Sequence, residues 1–153
     1  MKSLDLTDDT WNIKIYTEQF AKYMNSTARE LGLKETNYVN PHGLDCPLRL
    51  DAYSTVEDQA LLTKLCWEDF DCMGVMSRVE HMGELKTITG KDIDVRKHKW
   101  TNTHLLLGQE GYMGGKTGQT YHAGNCLTTV YRCELGSFII VVLGCASKEL
   151  RFS

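Results

Sequence analysis

The chain has 153 residues, enough for one ordinary domain that buries about 68–70% of its unfolded surface if it is complete. Hydrophobic residues make up 42%, charged residues 24%, and the formal net charge is -3, a globular balance with no basic stripe to suggest a nucleic-acid partner. No run approaches the ~20 apolar residues of a membrane helix, and "MKSLDLTDDTW" lacks the apolar core of a secretory signal.

In chain order, residues 1–12 read as acidic and irregular. Asp5, Thr7 and Asp9 alternate as in a calcium loop. A mid-loop glycine is missing and Tyr16 stands where the bidentate glutamate belongs, so no calcium site is expected. "TEQFAKYMNSTARELG" reads as a helix, with Phe20, Met24, Ala28 and Leu31 on one apolar stripe, Thr17 as N-cap and Gly32 as the stop. "LKETNYVNPHGLDCP" is a structured loop punctuated by Pro41 and Gly43. Ser54 and Glu57 have capping-box spacing before a helix that buries Val56, Ala60, Leu61 and Leu65. A further helical piece lies near "EDFDCMGVMSRVE", and a hairpin is centred on Gly90. The run Arg96 to Lys99 reads as a solvated turn or strand end. After the short apolar connection "NTHLLLG", strands are expected near 111–118, 124–133 and 137–145. "SKELRFS" reads as the first turns of a helix that stops with the chain. Helices followed by antiparallel strands, with no repeat or linker between them, make one α+β domain.

The six cysteines, at 46, 66, 72, 126, 133 and 145, are too sparse for a disulfide scaffold and read as free buried thiols that suit a reducing compartment. With no Cys-x-x-Cys and no histidine at ligand spacing, no zinc site is expected.

"GYMGGKTGQTYHAGNC", residues 111–126, is the run that carries chemistry. A strand edge lined with glycine lets a second backbone approach closely. Lys116 adds a fixed positive charge, Thr117 and Thr120 add hydroxyls, and the N–H groups near Gly118 and Gln119 can face a developing oxyanion. Together they suit the end of an extended anionic chain. The bland alternative is tight sheet packing with a solvated lysine, since Lys-Thr-Gly is short enough to arise by chance.

The surrounding motifs favour the first reading. Lys-Thr-Gly is a signature of serine β-lactamases and penicillin-binding proteins. Here it follows, in order, Met24-Asn25, Leu31-Gly32, Thr36 with Asn40-Pro41-His42-Gly43-Leu44, then Ser54, Thr55 and Asp58, then Asn102 with Leu106 and Leu107. From about residue 17 to 152 the chain resembles the D-alanyl-D-alanine carboxypeptidases, the low-molecular-mass penicillin-binding proteins. The resemblance implies the C-terminal part of a β-lactamase/transpeptidase-like domain, residues 1–153 forming one partial domain. It implies Lys116 as electrostatic group, Lys116, Thr117, Gly118 and Thr120 as substrate-binding residues, and the Gln119 backbone N–H as oxyanion donor. His42 is read as a buttress, not a base. Gln119 and His104 depart from the family's usual residues. The ligand implied is a peptide ending in a carboxylate, of D-Ala-D-Ala type, or a β-lactam; no cofactor or metal is implied.

The family's nucleophile comes from Ser-x-x-Lys, whose amine takes the hydroxyl proton one helical turn away. None of the serines at 3, 26, 54, 77, 137, 147 and 153 has a lysine three residues on, and Ser3 with Asp5 does not make the family's Ser-x-Asn. The nucleophile is therefore expected to be absent, along with most of the C-terminal helix. Two readings follow: a serine-type carboxypeptidase fragment or degenerate member, inactive alone, and a non-catalytic binding or structural module that keeps the carboxylate half-site. The family is usually exported, whereas this sequence shows no export address. Self-association, or pairing with the missing half-domain, is expected from the apolar run Phe138 to Leu143.

Overall fold

The computed structural model describes residues 6–45, 51–89 and 92–153. The readings that involve Ser3, Asp5, Cys46 and the hairpin tip at Gly90 lie outside the described residues.

The element order is α1 (Leu6–Glu30), α2 (Val56–Glu68), α3 (Phe70–Met76), β1 (Glu80–Thr89), β2 (Asp92–Thr101), β3 (Tyr112–Thr120), β4 (Gly124–Cys133), β5 (Gly136–Cys145) and a 3-10 turn, Leu150–Phe152. The fold is the α+β arrangement of helices followed by antiparallel strands. β1 and β2 form a two-stranded ribbon that stands apart, and the second sheet runs β3-β4-β5. The Arg96 to Lys99 run lies within β2, exposed along its length.

α1 differs from the sequence reading at its start. It begins at Leu6, so residues 6–12, expected to be irregular, are helical and Thr17 sits inside the helix rather than capping it. Helix propensity is a weak prior, and the Thr, Asp and Asn residues before Thr17 rank low in it. The end was read correctly. Gly32 has φ +86, its N–H bonds Arg29 O at 3.1 Å, and Leu33 N–H bonds Ala28 O at 2.8 Å, a Schellman closure. The closure packs Leu33 against Ala28, and both are buried. The apolar stripe is rotated from the one expected. Ala21 and Ala28 are buried, whereas Phe20, Tyr23 and Leu31 face outward.

α2 starts one residue later than the capping box implied. Thr55 is the N-cap and accepts the Asp58 N–H at 3.2 Å. Among its described residues α2 buries Asp58 and Thr63, not Val56, which is exposed, nor Ala60, Leu61 and Leu65, which are half-buried. Its contact with the sheet is partly polar: Thr63 Oγ1 donates to Gln59 O at 2.7 Å and meets Thr128 Oγ1 of β4 at 2.5 Å. Arg132, four residues further along β4, lies over the Trp67 ring at 5.8 Å. α2 thus covers the face of β4 that carries Thr128 and Arg132. Side chains alternate along a strand, so Tyr131 lies on the opposite face. There it meets Tyr112 at 5.0 Å, which continues to His104 and Phe152 at 6.4 and 6.0 Å. Leu127, Thr129 and Val130 of β4, each 3% exposed or less, form the centre between these layers.

Two glycines let β3 sit where it does. A Cβ on Gly115 would lie 2.0 Å from Thr128 O and 2.8 Å from Thr129 Cα; one on Gly114 would lie 2.8 Å from Met76 O at the end of α3. All three obstacles are backbone. Gly115→Ala should therefore break the β3–β4 register locally and lower stability by about 1–3 kcal/mol or more, the scale of overpacking a close contact. Thermal melting of the variant, read by circular dichroism, checks this; an unchanged midpoint would mean that β3 has room to move.

Candidate functional site

The loop from Leu33 to Asp45 has little ladder of its own. Its only described backbone pairing is the bridge between Asn37 and Tyr53. Buried N–H and C=O groups need partners, and here side chains supply them. Asn25 of α1 donates to Tyr38 O at 2.8 Å and accepts Tyr38 N–H at 2.7 Å, as a neighbouring strand would. Asn40 donates to Leu44 O at 2.9 Å and accepts Gly43 N–H at 2.7 Å, closing the Pro41-His42-Gly43 turn on itself. His42 Nδ1 accepts Leu44 N–H at 3.2 Å, the buttress role expected of it.

Asp58 joins the loop to α2. Its carboxylate accepts Lys34 N–H at 3.3 Å, Glu35 N–H at 2.8 Å and the Thr36 hydroxyl at 2.7 Å. The Thr36 hydroxyl, followed by the Glu35 and Lys34 amides, holds the Asp58 carboxyl below its usual range, against the opposing effect of burial. Thr36 Oγ1 also lies 2.8 Å from Ser54 Oγ, which accepts from Gln59 Nε2 at 2.9 Å. A continuous chain of hydrogen bonds thus runs from Asp58 to Gln59. The Ser54, Thr55 and Asp58 motif reads physically as loop anchor, helix cap and loop clamp.

Gln59 is one wall of an open cleft of about 650 Å³. The Pro41–Leu44 turn forms another wall, and Lys116, Thr117, Gly118 and Gln119 of β3 form the floor's edge. β3 is the edge strand of its sheet. The Lys116 ammonium donates to Thr117 O, and among the described residues no carboxylate pairs with it. Backbone groups of alternate residues point to the same edge of a strand, so the Gln119 N–H shares the edge used by Thr117 O. Gly118 has nothing within 4 Å of a would-be Cβ, unlike its neighbours Gly114 and Gly115. Thr117 is buried, and its Oγ1 lies 2.5 Å from Thr103 Oγ1. Lys116, Thr117, Gly118 and Gln119 are therefore together. Thr120 is not with them. It lies on an adjoining cavity of about 390 Å³, where its hydroxyl accepts Ala123 N–H at 3.1 Å and helps lower the Asp45 carboxyl.

Two contributors were not read from the sequence. Arg151 is 4% exposed and lines the same cleft; its Nη1 donates to Gly118 O at 3.0 Å and Cys126 O at 3.3 Å, while Nε has no partner. Asn102, quoted only as part of a motif, donates to Arg78 O at 2.9 Å and accepts His104 N–H at 2.9 Å, which fixes the approach of Thr103 to Thr117. His104 does not line the cleft. It is 2% exposed with both ring nitrogens unpartnered, and burial, aided by Arg151, holds its imidazole below the usual range.

The chain belongs to the D-alanyl-D-alanine carboxypeptidase family, whose model matches residues 14–147. It is 32% identical over 135 residues to D-alanyl-D-alanine carboxypeptidase DacF of Bacillus subtilis, covering 88% of this chain and 32% of that one. DacC of Escherichia coli, with the same activity in its name, is 31% identical over 139 residues, with 89% and 31% covered. Among solved structures, the DD-transpeptidase of Streptomyces K15 superposes with a TM-score of 0.74 at 27% identity, covering 86% of this chain and 49% of that one. Penicillin-binding protein D2 of Listeria monocytogenes, in its cefotaxime-bound form, gives 0.69 at 32% identity, with 87% and 50% covered. The chain thus spans about a third of the length of these curated relatives and about half that of these solved structures. Among the described residues, no helix is long and apolar enough to cross a membrane.

The buried imidazole sets a pH dependence. Its folded pKa lies below the ordinary 6.5, so its contribution is complete above about pH 6.5 and is lost as pH falls from there through the folded value. Asp58 acts lower: its contribution is complete above about pH 3.8 and is lost as the pH falls through its depressed folded pKa. Melting temperature should drop as pH falls below about 6.5 and again as it falls below about 3.8. His104→Leu should flatten the first drop and Asp58→Asn the second.

Proposed function

We propose that the cleft holds the carboxylate end of an extended peptide of D-Ala-D-Ala type, and that β-lactams compete for it. The observation that carries this reading is the pairing of two cations with open space. Lys116 and Arg151 line one cleft without a carboxylate partner among the described residues, together with Gly118, where an added Cβ would meet nothing within 4 Å. The Lys116 ammonium supplies the fixed charge, with the Thr117 hydroxyl beside it. Gly118 admits the peptide backbone along the β3 edge, so recognition uses main-chain bonds as in strand addition. The Gln119 N–H serves as one oxyanion donor. Arg151 is a second cation for the carboxylate. Thr120 bounds the neighbouring cavity and contributes to the far end of the peptide track.

Hydrolysis of the terminal peptide bond needs an activated serine, and none of this chain's serines has the lysine that the family places three residues on. On this reading residues 1–153 form one partial domain that binds without acylating, and the nucleophile comes from polypeptide outside the sequence. A second reading, a binding or structural module, rests on the same cleft and differs only in lacking that complement. Self-association is also proposed, because Phe138, Ile140 and Leu143 of the edge strand β5 are 47%, 40% and 39% exposed.

Calorimetric titration with an acetylated peptide ending in D-Ala-D-Ala should show binding that is abolished when the terminal carboxylate is amidated. Lys116→Ala should weaken it by roughly ten- to a hundredfold, the loss of one charge-assisted hydrogen bond worth ~1.5–3 kcal/mol. Gly118→Val should remove binding while leaving the melting temperature unchanged. A labelled penicillin should leave no covalent adduct. Equal binding by the amidated peptide, or an adduct on any serine, would overturn the reading. Light scattering should show oligomers; a sharp monomer peak would refute the self-association.

A further inference from the structure

Outside the cleft, the structure exposes Cys72, a thiol the sequence reading buried, and most of the β1–β2 ribbon. A two-stranded ribbon is marginal in water, and an unprotected strand edge is a template for further pairing. The two edges of this ribbon are unlike. β2 carries Arg96, Lys97, His98 and Lys99 in succession, a basic run of the kind that guards an edge. Within the ribbon, Arg96 is held by Asp94 at 2.7 Å and Lys99 by Glu80 at 2.5 Å. β1 has no such guard. It contains no proline, and its register with β2 runs without a bulge from Glu80 to Thr89. Glu84, Leu85 and Lys86 are exposed at its middle, and neither charge has an ion-pair partner among the described residues.

We propose that two copies of the chain join along β1, antiparallel, to make one four-stranded sheet about a two-fold axis. In such a pair, opposed side chains share a face of the sheet, and one residue of β1 faces itself across the axis. With Leu85 on the axis, Glu84 of each copy lies opposite Lys86 of the other. Opposite charges directly across an antiparallel pair are favourable, and like charges are not. Moving the axis by one residue sets Glu84 against Glu84, or Lys86 against Lys86. The two charges therefore select one register. Leu85 then meets its own copy, and Gly83 meets Thr87.

The face that carries Leu85 also has an apolar flank ready for the joint. A Cβ on Gly83 would lie 2.8 Å from the Trp100 ring. The ring thus reaches from β2 across β1, and His98 packs against it at 4.5 Å. A glycine inside a strand marks such a close approach. Trp100 and Leu85 are both exposed in the single chain, and pairing along β1 brings this apolar surface to the new junction. The ribbon is a separate sheet from β3-β4-β5, so the pairing stands whether or not the cleft binds a peptide carboxylate or β5 associates.

Zero-length crosslinking tests the junction directly. Heavy-isotope-labelled and unlabelled chains are mixed in equal amounts, treated with a water-soluble carbodiimide and digested. The expected product is an amide between Glu84 of one chain and Lys86 of the other, with the loss of one water, in peptides that join a heavy to a light chain. In sedimentation equilibrium, Glu84→Lys and Lys86→Glu should each raise the dissociation constant by roughly tenfold or more, because both opposed pairs become repulsive. The chain carrying both changes should regain the original constant, and an equal mixture of the two single variants should form heterodimers. Association through β5 would give heavy–light products elsewhere and would not respond to the charge swap. The proposal falls if no heavy–light peptide joins Glu84 to Lys86, if the single reversals associate as the unaltered chain does, or if the double swap stays as weak as the singles.

Discussion

The arrangement depends on one carboxylate doing the work of a missing strand. The Leu33 to Asp45 loop forms a wall of the cleft, yet has almost no ladder to hold it. Asp58 takes two of its N–H groups and one hydroxyl. The residue occupies the third position of α2, where a capping-box acid would turn back to its own helix start. Here Thr55 caps the helix alone, which frees Asp58 to face the loop. A negative group in the first turn is favoured by the unpaired amides there, so the same charge serves the helix and clamps the loop. Asn25 and Asn40 complete the anchoring with neutral bonds. The cleft is thus a gap between a sheet edge and a loop immobilised from behind.

The charge economy of the cleft follows from this design. Arg151 is buried, but its partners are the carbonyls of Gly118 and Cys126 rather than an acid. Lys116 leans on Thr117 O in the same way. Carbonyl dipoles hold these cations in place without neutralising them. A carboxylate in either position would have neutralised the charge on which the proposed ligand depends. The hydroxyl pair of Thr103 and Thr117 ties β3 to the loop before it without adding charge.

Much of this was legible in the sequence. The three strands of the main sheet were placed within two residues, because glycine punctuation and a long apolar run are strong signals. Gly32 was found as a helix stop because only an unbranched backbone takes φ +86 readily. The order of motifs gave the family, and Lys116, Thr117, Gly118 and Gln119 do meet in one cleft. What escaped notice shares a cause. Asn25, Asp58 and Asn102 are named in the motifs, but their bonds to main chain far along the sequence leave no period to count. Arg151 looked like part of a nascent helix, since nothing in "SKELRFS" says that one side chain turns inward across the sheet end. The polar contact between Thr63 and Thr128 ran against the expectation of an apolar helix face.

Gly115 and Gly118 stand three positions apart in one strand and answer to separate demands. The first is barred from change by neighbouring main chain; a side chain at the second would meet nothing within 4 Å of its Cβ. Were the lineage to lose the ligand proposed above, the second site would be free to drift while the first stayed frozen. Counting replacements at the two positions among descendants of this sequence would separate selection for architecture from selection for what it grips, without purifying any protein.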